Sequence, residues 1–185
     1  MDILTQLQRY RPKNEQEAAD LAEMLRRLKL GEDVFSRSNL SAHFTASAWV
    51  VSPDRRQVLM AYHDLYDSWA WLGGHADGDK DLLSVALREV QEESGLHELR
   101  PVSEDIYSVE ILAVSGHRKQ GRYVPSHLHL NVTYLLEADP ASPLRSRPGE
   151  NSAVAWFIPD EAVAASSEPW LQEYIYTKLN ANFVE

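Results

Sequence analysis

The feature that most constrains this chain is a helix that carries its carboxylates at its C-terminal end. The sequence REVQEESGL, residues 88–96, places Glu89, Glu92 and Glu93 in the last two turns of a helix predicted over residues 81–94. Like charges at these spacings destabilise a helix by about 0.2–0.5 kcal/mol per pair. Carboxylates at a helix C-terminus also oppose the macrodipole, by roughly 0.3–1 kcal/mol each. The pattern indicates either a solvated acidic helix end or a site for a divalent cation.

The residues around this helix favour the cation site. Arg88 relieves one of the three negative charges, whereas Mg²⁺ or Mn²⁺, which prefer oxygen ligands, would relieve all of them. Gly95 is predicted to end the helix and turn the chain just beyond the glutamates. Before the helix stand Gly73 and Gly74. Without side chains, Gly73 is predicted to bring its carbonyl close to a metal, and Gly74 to let backbone approach a phosphate.

Composition narrows the class of protein. The 185 residues suffice for one domain with short additions. Cysteine is absent, which excludes disulfides, thiolate metal sites and a cysteine nucleophile. No segment reads as a signal peptide or a membrane span, so we predict a cytoplasmic protein that does not bind a membrane. A net charge of −10 disfavours long nucleic acid but permits a phosphorylated small molecule whose charge a metal neutralises.

Helical and strand patterns alternate along the chain. The first 35 residues are predicted to be helical, with Asn14 as an N-cap. Alternating apolar segments predict strands at 43–52, 57–62, 69–72, 105–115, 127–137 and 153–158, and Pro159 and Pro169 are predicted to open helices. The stretches 73–81, 115–126 and 139–150 are predicted to be loops. Together these elements predict an α/β protein with a mixed sheet between helices.

The glycines, the helix and its acidic end together resemble the Nudix box. That motif is a glycine, five residues, a glutamate, seven residues and then R-E-U-x-E-E-x-G-U, with U a bulky aliphatic residue. Here Gly74 is followed by five residues, Lys80, seven residues, and the matching segment Arg88–Leu96. Lys80 stands where the family has glutamate, and every other fixed position matches.

This resemblance implies a fold, a reaction and partners. It implies a Nudix-type α/β/α sandwich with a mixed β-sheet over residues 41–185, preceded by an N-terminal helical extension over residues 1–40. The expected activity is hydrolysis, dependent on Mg²⁺ or Mn²⁺, of a pyrophosphate bond in a nucleoside diphosphate derivative or related small phosphorylated molecule. Dimers are common in the resembled family, which makes a homodimer one candidate assembly, and the sequence leaves the oligomeric state open.

The resemblance also assigns roles to individual residues. Glu89, Glu92 and Glu93 resemble the metal-binding carboxylates, and Gly73 resembles the residue whose carbonyl binds metal. Arg88 resembles the arginine that orients the glutamates.

The general base is assigned less specifically. A carboxylate, Glu93 or Glu150, is expected to position or deprotonate the attacking water, and Glu92 and Arg88 complete the candidate catalytic set. Glu150 lies in the loop PGENSAVAWF before a strand, where some relatives have an extra acid. A solvated loop glutamate is the equal alternative.

Substrate-binding candidates lie further along the chain. Arg118 and Arg122 belong to a basic loop that either holds a terminal phosphate or is a solvated hairpin. His127 and His129 alternate with Asn131, so the three share one face of a strand. That face either lines the pocket or is polar and exposed.

Two alternatives to the hydrolase remain. Lys80 is predicted either to pair with one of the carboxylates or to lower the charge that attracts a metal. In the second case, the chain is alternatively a catalytically weak nucleotide-binding or sensor module on the same fold. The stretch SWAWLGGHADGD also resembles isopentenyl-diphosphate isomerases, which use histidine ligands and a catalytic cysteine, but this chain has no cysteine. His43 and His75 also suggest a metal, although isolated histidines are usually not ligands.

Overall fold

Two helices precede the sheet in the computed structural model, which describes residues 1–119 and 121–183. Helix α1 spans Ile3–Arg9 and helix α2 spans Glu15–Lys29. The Asn14 side chain accepts a hydrogen bond from the Glu17 N–H, which confirms the predicted N-cap. The Glu17 carboxylate accepts from the Lys13 N–H at 2.7 Å rather than closing a reciprocal bond to Asn14.

The centre of the molecule is an eight-stranded mixed sheet. Its strands are β1 Ala42–Val51, β2 Val58–His63, β3 Ser68–Ala70, β4 Leu72–His75, β5 Arg100–Pro101, β6 Ser108–Val114, β9 His127–Glu137 and β10 Asn151–Phe157. The main order is β10-β2-β1-β9-β5; β3 pairs with β2, β4 with β1 and β6 with β9. Strands β1 and β9 run parallel, and the other pairs are antiparallel.

The two faces of β1 pack against different layers. Its even-numbered residues, from Phe44 to Val50, belong to a hydrophobic cluster with α1, α2 and the helix α3, which spans Leu82–Ser94. Its odd-numbered residues Trp49 and Val51 belong to a second cluster. Because side chains alternate along a strand, the odd-numbered face also carries the polar residues at the start of β1.

Helix α3 begins and ends as the sequence predicts. Asp81 caps it by accepting the Ser84 N–H, and Gly95 ends it in the left-handed region at φ 74°. The buried side of α3 consists of Leu82, Val85, Ala86, Val90, Glu93 and Ser94, while Leu83 and Leu87 are half-buried. Glu93 therefore lies on the buried side of α3.

The C-terminal helices cover the opposite face of the sheet. They are α4 Pro159–Ala165, α5 Pro169–Leu171, a π-helical segment Gln172–Tyr176 and α6 Thr177–Asn182. Their apolar side chains pack on the odd-numbered face of β1, where Trp49 stacks on Tyr176 with ring centroids 5.5 Å apart. The layers of helix, mixed sheet and helix confirm the predicted α/β/α architecture.

Two predicted loops contain paired strands. Gly73 and Gly74, predicted in a loop, lie in β4, where they face Ser47 and Ala46 of β1. The segment 115–126 contains an antiparallel hairpin of β7 His117–Lys119 and β8 Arg122–Val124. Local sequence does not reveal which strand a segment pairs with, so the sequence pattern predicted neither the β4–β1 pairing nor the β7–β8 hairpin. Across the described residues, every helix is too short or too polar to cross a bilayer.

Candidate active site and adjoining histidine cluster

Two of the three glutamates of α3 contact the glycines of β4. Glu93 is 7% exposed, and its Oε2 accepts a hydrogen bond from the Gly73 N–H at 3.1 Å. Glu89 packs against Gly74 so closely that a Cβ on this glycine would lie 2.5 Å from the Glu89 Cδ. Glu92 is exposed at the helix surface. Gly74 therefore supplies the space that the Glu89 carboxylate occupies, and the lack of a side chain at Gly73 allows close pairing with β1.

Arg147 places a guanidinium among the acidic groups. Its Nη1 lies 2.7 Å from Glu92 Oε2, 2.9 Å from Glu150 Oε2 and 3.8 Å from Glu89 Oε2. Glu150 thus joins the cluster through this arginine. The guanidinium therefore relieves part of the repulsion among the glutamates, which the sequence analysis expected a divalent cation to relieve.

Asn151 positions the loop that carries Arg147. Its buried side chain donates to the Glu93 carbonyl at 3.0 Å and accepts the Arg147 N–H at 2.8 Å. A further bond joins the Arg145 N–H to the Ser94 carbonyl at 2.8 Å. Because these bonds join the loop to the end of α3, they hold Glu150 close to the glutamates of the helix.

Burial makes two of the carboxylates hard to ionise. Desolvation raises the pKa of Glu93 to about 8, with further contributions from Glu89 and Glu150 and an opposing hydrogen bond from Gly73. Burial also raises the pKa of Glu89, and the charge on Glu92 adds to this effect. Carboxylates whose pKa is raised by burial are suited to proton transfer or to binding a cation.

Arg88 and Lys80 lie at the N-terminal side of the cluster. Arg88 lies 3.6 Å from Glu89 Oε1 and 3.6 Å from Asp79 Oδ2, and its orienting role stays a prediction. Lys80 is exposed, with its Nζ 5.8 Å from the Phe35 ring centroid. Among the ion pairs of the described residues, none involves Lys80.

The odd-numbered face of β1 carries a buried polar strip. Asn131 of β9 accepts hydrogen bonds from Thr45 at 2.8 Å and Ser47 at 3.0 Å, and it donates to Glu110 of β6 at 3.0 Å. Lys178 of α6 then donates to Glu110 at 3.0 Å. The face that includes Asn131 is buried, so the alternative of an exposed polar face is wrong.

Four histidines meet at the end of this strip. The ring of His43 lies 5.2 Å from His75, 4.9 Å from His127 and 5.1 Å from His129, measured between centroids. His127 Nε2 and His129 Nε2 are 3.1 Å apart. These four residues, which come from β1, β4 and β9, form what we call the histidine cluster. His43 and His75, isolated in the sequence, are therefore neighbours in the fold.

Burial favours the neutral form of two of these rings, His43 and His129. Burial lowers the pKa of His129 to about 2, and His75, His43 and His127 lower it further. Burial likewise lowers the pKa of His43. Neutral imidazole is the form that binds transition metals.

Arg118 and Arg122, the basic substrate-binding candidates, lie in a two-stranded hairpin that is not part of the main sheet. Arg118 is in β7 and Arg122 in β8, and both are exposed. The hairpin approaches the histidine cluster through His117, whose ring centroid lies 6.3 Å from that of His127. Both arginines remain predictions as phosphate ligands.

The layered α/β/α fold and the acidic end of α3 define a class of protein. Comparisons with known proteins identify its family. Residues 42–178 match the NUDIX domain. The chain belongs to the Nudix family, as the sequence motif predicted. A human relative, m7GpppN-mRNA hydrolase NUDT17, is 32% identical over 106 residues, which are 54% of this chain and 31% of the relative. The chain thus spans about a third of that relative's length.

Solved structures support the same fold. A C. elegans Ap4A hydrolase in a binary complex aligns with a TM-score of 0.52 and 17% identity, covering 76% of this chain and 94% of the other. The E. coli dihydroneopterin triphosphate pyrophosphohydrolase aligns with a TM-score of 0.56 and 16% identity, covering 75% and 95%. At these identities the likeness concerns the fold.

Proposed function

We propose that this protein hydrolyses the pyrophosphate bond of a nucleoside diphosphate derivative or a related small phosphorylated molecule, with Mg²⁺ or Mn²⁺ as its metal. The observation that supports this proposal is the convergence of Glu89, Glu92, Glu93 and Glu150 beside Gly73 and Gly74 on a Nudix fold. The named relatives act on an mRNA cap, a dinucleoside polyphosphate and a pterin triphosphate, which all contain phosphoanhydride bonds.

The acidic cluster fits a hard divalent cation. Its donors are carboxylate oxygens, which are the ligands that Mg²⁺ and Mn²⁺ prefer. Glu89, Glu92 and Glu93 would hold the ion, with Gly73 as a candidate carbonyl ligand. When bound there, the ion would neutralise phosphate oxygens and acidify the attacking water.

The chain's own residues orient this site. The Gly73 N–H holds the Glu93 carboxylate, and Arg88 lies beside Glu89. Glu93 and Glu150 are the two carboxylates we assign to position the water and take its proton. Since loss of a general base costs about 10²–10⁴-fold in rate, separate Glu93→Gln and Glu150→Gln variants identify which residue acts.

Substrate contacts are assigned to the end of β9 and to the neighbouring β7–β8 hairpin. His127 and His129 lie at the end of the buried polar strip, and Arg118 and Arg122 extend from the neighbouring hairpin. We assign the two arginines to the terminal phosphate and the two histidines to the polar wall of the pocket. Arg118→Gln and Arg122→Gln should raise KM more than they lower kcat.

A substrate panel tests the proposal. Release of phosphate or nucleotide from nucleoside diphosphate derivatives is measured with and without Mg²⁺, and for the double variant Glu92→Gln/Glu93→Gln. The exposed Glu98→Gln is the matched control that should retain activity. Turnover without a divalent metal, or full turnover in the double variant, would refute the proposal. Tight nucleotide binding without turnover, restored to catalysis by Lys80→Glu, would instead identify the binding module.

A further inference from the structure

We infer that His43, His75 and His129 form a second metal site, specific for a borderline transition-metal ion such as Zn²⁺ and separate from the glutamate site. Each of the three histidines offers one ring nitrogen, and these three atoms lie within 4.8 Å of one another. Imidazole nitrogens suit Zn²⁺ and similar ions, whereas Mg²⁺ prefers oxygen ligands.

His43 has a buried nitrogen with no partner of its own. The residue is 4% exposed, and its Nε2 forms no hydrogen bond with any described residue. A buried polar atom without a partner costs about 1–3 kcal/mol. His43 is surrounded by the rings of His75, His127 and His129, so a metal ion bound among them would give this nitrogen a ligand bond.

Backbone carbonyls fix the tautomers that metal binding needs. His43 Nδ1 lies 3.0 Å from the Asn39 carbonyl oxygen, and because this oxygen only accepts, Nδ1 carries the hydrogen. The lone pair of the neutral ring is therefore on Nε2. Metal-binding histidines usually donate their other ring N–H to a carbonyl or carboxylate in this way.

His127 orients His129 by the same logic. His127 Nδ1 lies 2.8 Å from the Pro125 carbonyl oxygen, which leaves its Nε2 to accept a hydrogen bond. The 3.1 Å contact then requires His129 Nε2 to donate, and the lone pair of His129 is on Nδ1. We assign His127 as a positioning residue that sets the ring of His129.

The dimensions allow a tetrahedral site after small side-chain movements. With Zn–N bonds of about 2.0–2.1 Å, three nitrogens around Zn²⁺ lie about 3.3 Å apart. Nitrogens within 4.8 Å reach that spacing by rotations that move each by about an ångström. Three protein ligands leave a fourth position for water or an anion.

The two proposed sites adjoin through β4. Gly73 binds Glu93, Gly74 packs on Glu89, and His75 reaches the histidine cluster. Gly73 and His75 are two residues apart, or about 7 Å along a strand. The oxygen donors of α3 and the nitrogen donors of the sheet therefore form separate sets on either side of the glycines.

Cobalt spectroscopy tests the second site. Protein without an affinity tag is stripped with a chelator, saturated with Mg²⁺ and titrated with Co²⁺, whose visible absorption reports tetrahedral nitrogen coordination. The wild type should bind one equivalent. His75→Gln and His129→Gln should abolish the band, and His127→Gln should weaken Co²⁺ binding by about 10–100-fold.

Two controls separate this site from the glutamates and from surface histidines. Glu92→Gln and the exposed His97→Gln should both keep the band. Absence of Co²⁺ binding under Mg²⁺ saturation, survival of the band in His75→Gln, or its loss in Glu92→Gln would each overturn the inference. Zn²⁺-induced changes in the ring ¹⁵N shifts of His43, His75 and His129, with His97 unchanged, are expected in the wild type and need no variant.

Discussion

Replacing Glu93 with glutamine should stabilise the metal-free protein at neutral pH. The Glu93 carboxyl has a pKa near 8 in the fold, against an ordinary value of 4.5. A raised folded pKa gives a stability contribution that is complete below pH 4.5 and is lost as the pH rises through 8. Each pH unit between these values lowers the free energy of unfolding by about 1.4 kcal/mol. Glutamine keeps an oxygen for the Gly73 N–H and does not ionise.

Urea denaturation in EDTA measures this effect. The free energy of unfolding of Glu93→Gln, relative to wild type, should rise by about 3 kcal/mol between pH 5 and pH 7. Glu98→Gln, at an exposed position beyond the end of α3, is the matched control and should not reproduce this rise. Saturating Mg²⁺ should reverse the order by stabilising only the wild type. An equal difference between wild type and Glu93→Gln at pH 5 and pH 8 would refute the desolvation argument.

Four further substitutions test the site and its supports. Gly74→Ala should lower Mg²⁺ affinity by about tenfold or more in calorimetry, because its Cβ would displace the Glu89 carboxylate, whereas Gly73→Ala would meet the β1 backbone and should lose about 1–3 kcal/mol of stability in urea. Arg147→Gln should raise Mg²⁺ affinity about fivefold, since removing a half-exposed competing cation frees about 1 kcal/mol. Lys178→Met should cost about 3–5 kcal/mol in urea denaturation, because it leaves two carboxylates buried without their cation.

The sequence predicted those parts of the fold that local chemistry determines. The cap at Asn14, the glycine stop at Gly95 and the strand at 127–137 all agree with the structure. The pairing of Gly73 and Gly74 with β1 was not predicted, because a glycine pair is a turn signal when its partner strand is unknown. Local propensity identifies an element, whereas tertiary pairing decides where the element ends.

The strand registers explain why the sequence analysis did not predict that the four histidines of the histidine cluster lie together. His127 and His129 share one face by alternation, which the sequence showed. The parallel register of β1 and β9 pairs His43 with His129, and the antiparallel register of β1 and β4 places His75 opposite Thr45. Since these registers join residues thirty or more positions apart, only the three-dimensional arrangement brings the histidines together. A usable signal was present in β1, whose odd positions read His, Thr and Ser before Trp49.

Arg147 weakens the argument for a metal that rests on repulsion among the glutamates. The burial of Glu93 supplies a separate electrostatic argument for one. The guanidinium contacts Glu89, Glu92 and Glu150, so their mutual repulsion alone does not require a divalent ion. Glu93 has no ion pair with any described residue and is buried with a Gly73 N–H as its partner. A helix shaped only for stability would have an apolar residue at that buried position, because an unpaired carboxylate there costs several kcal/mol when ionised. The burial of Glu93, more than the number of glutamates, is therefore the feature that indicates a cation.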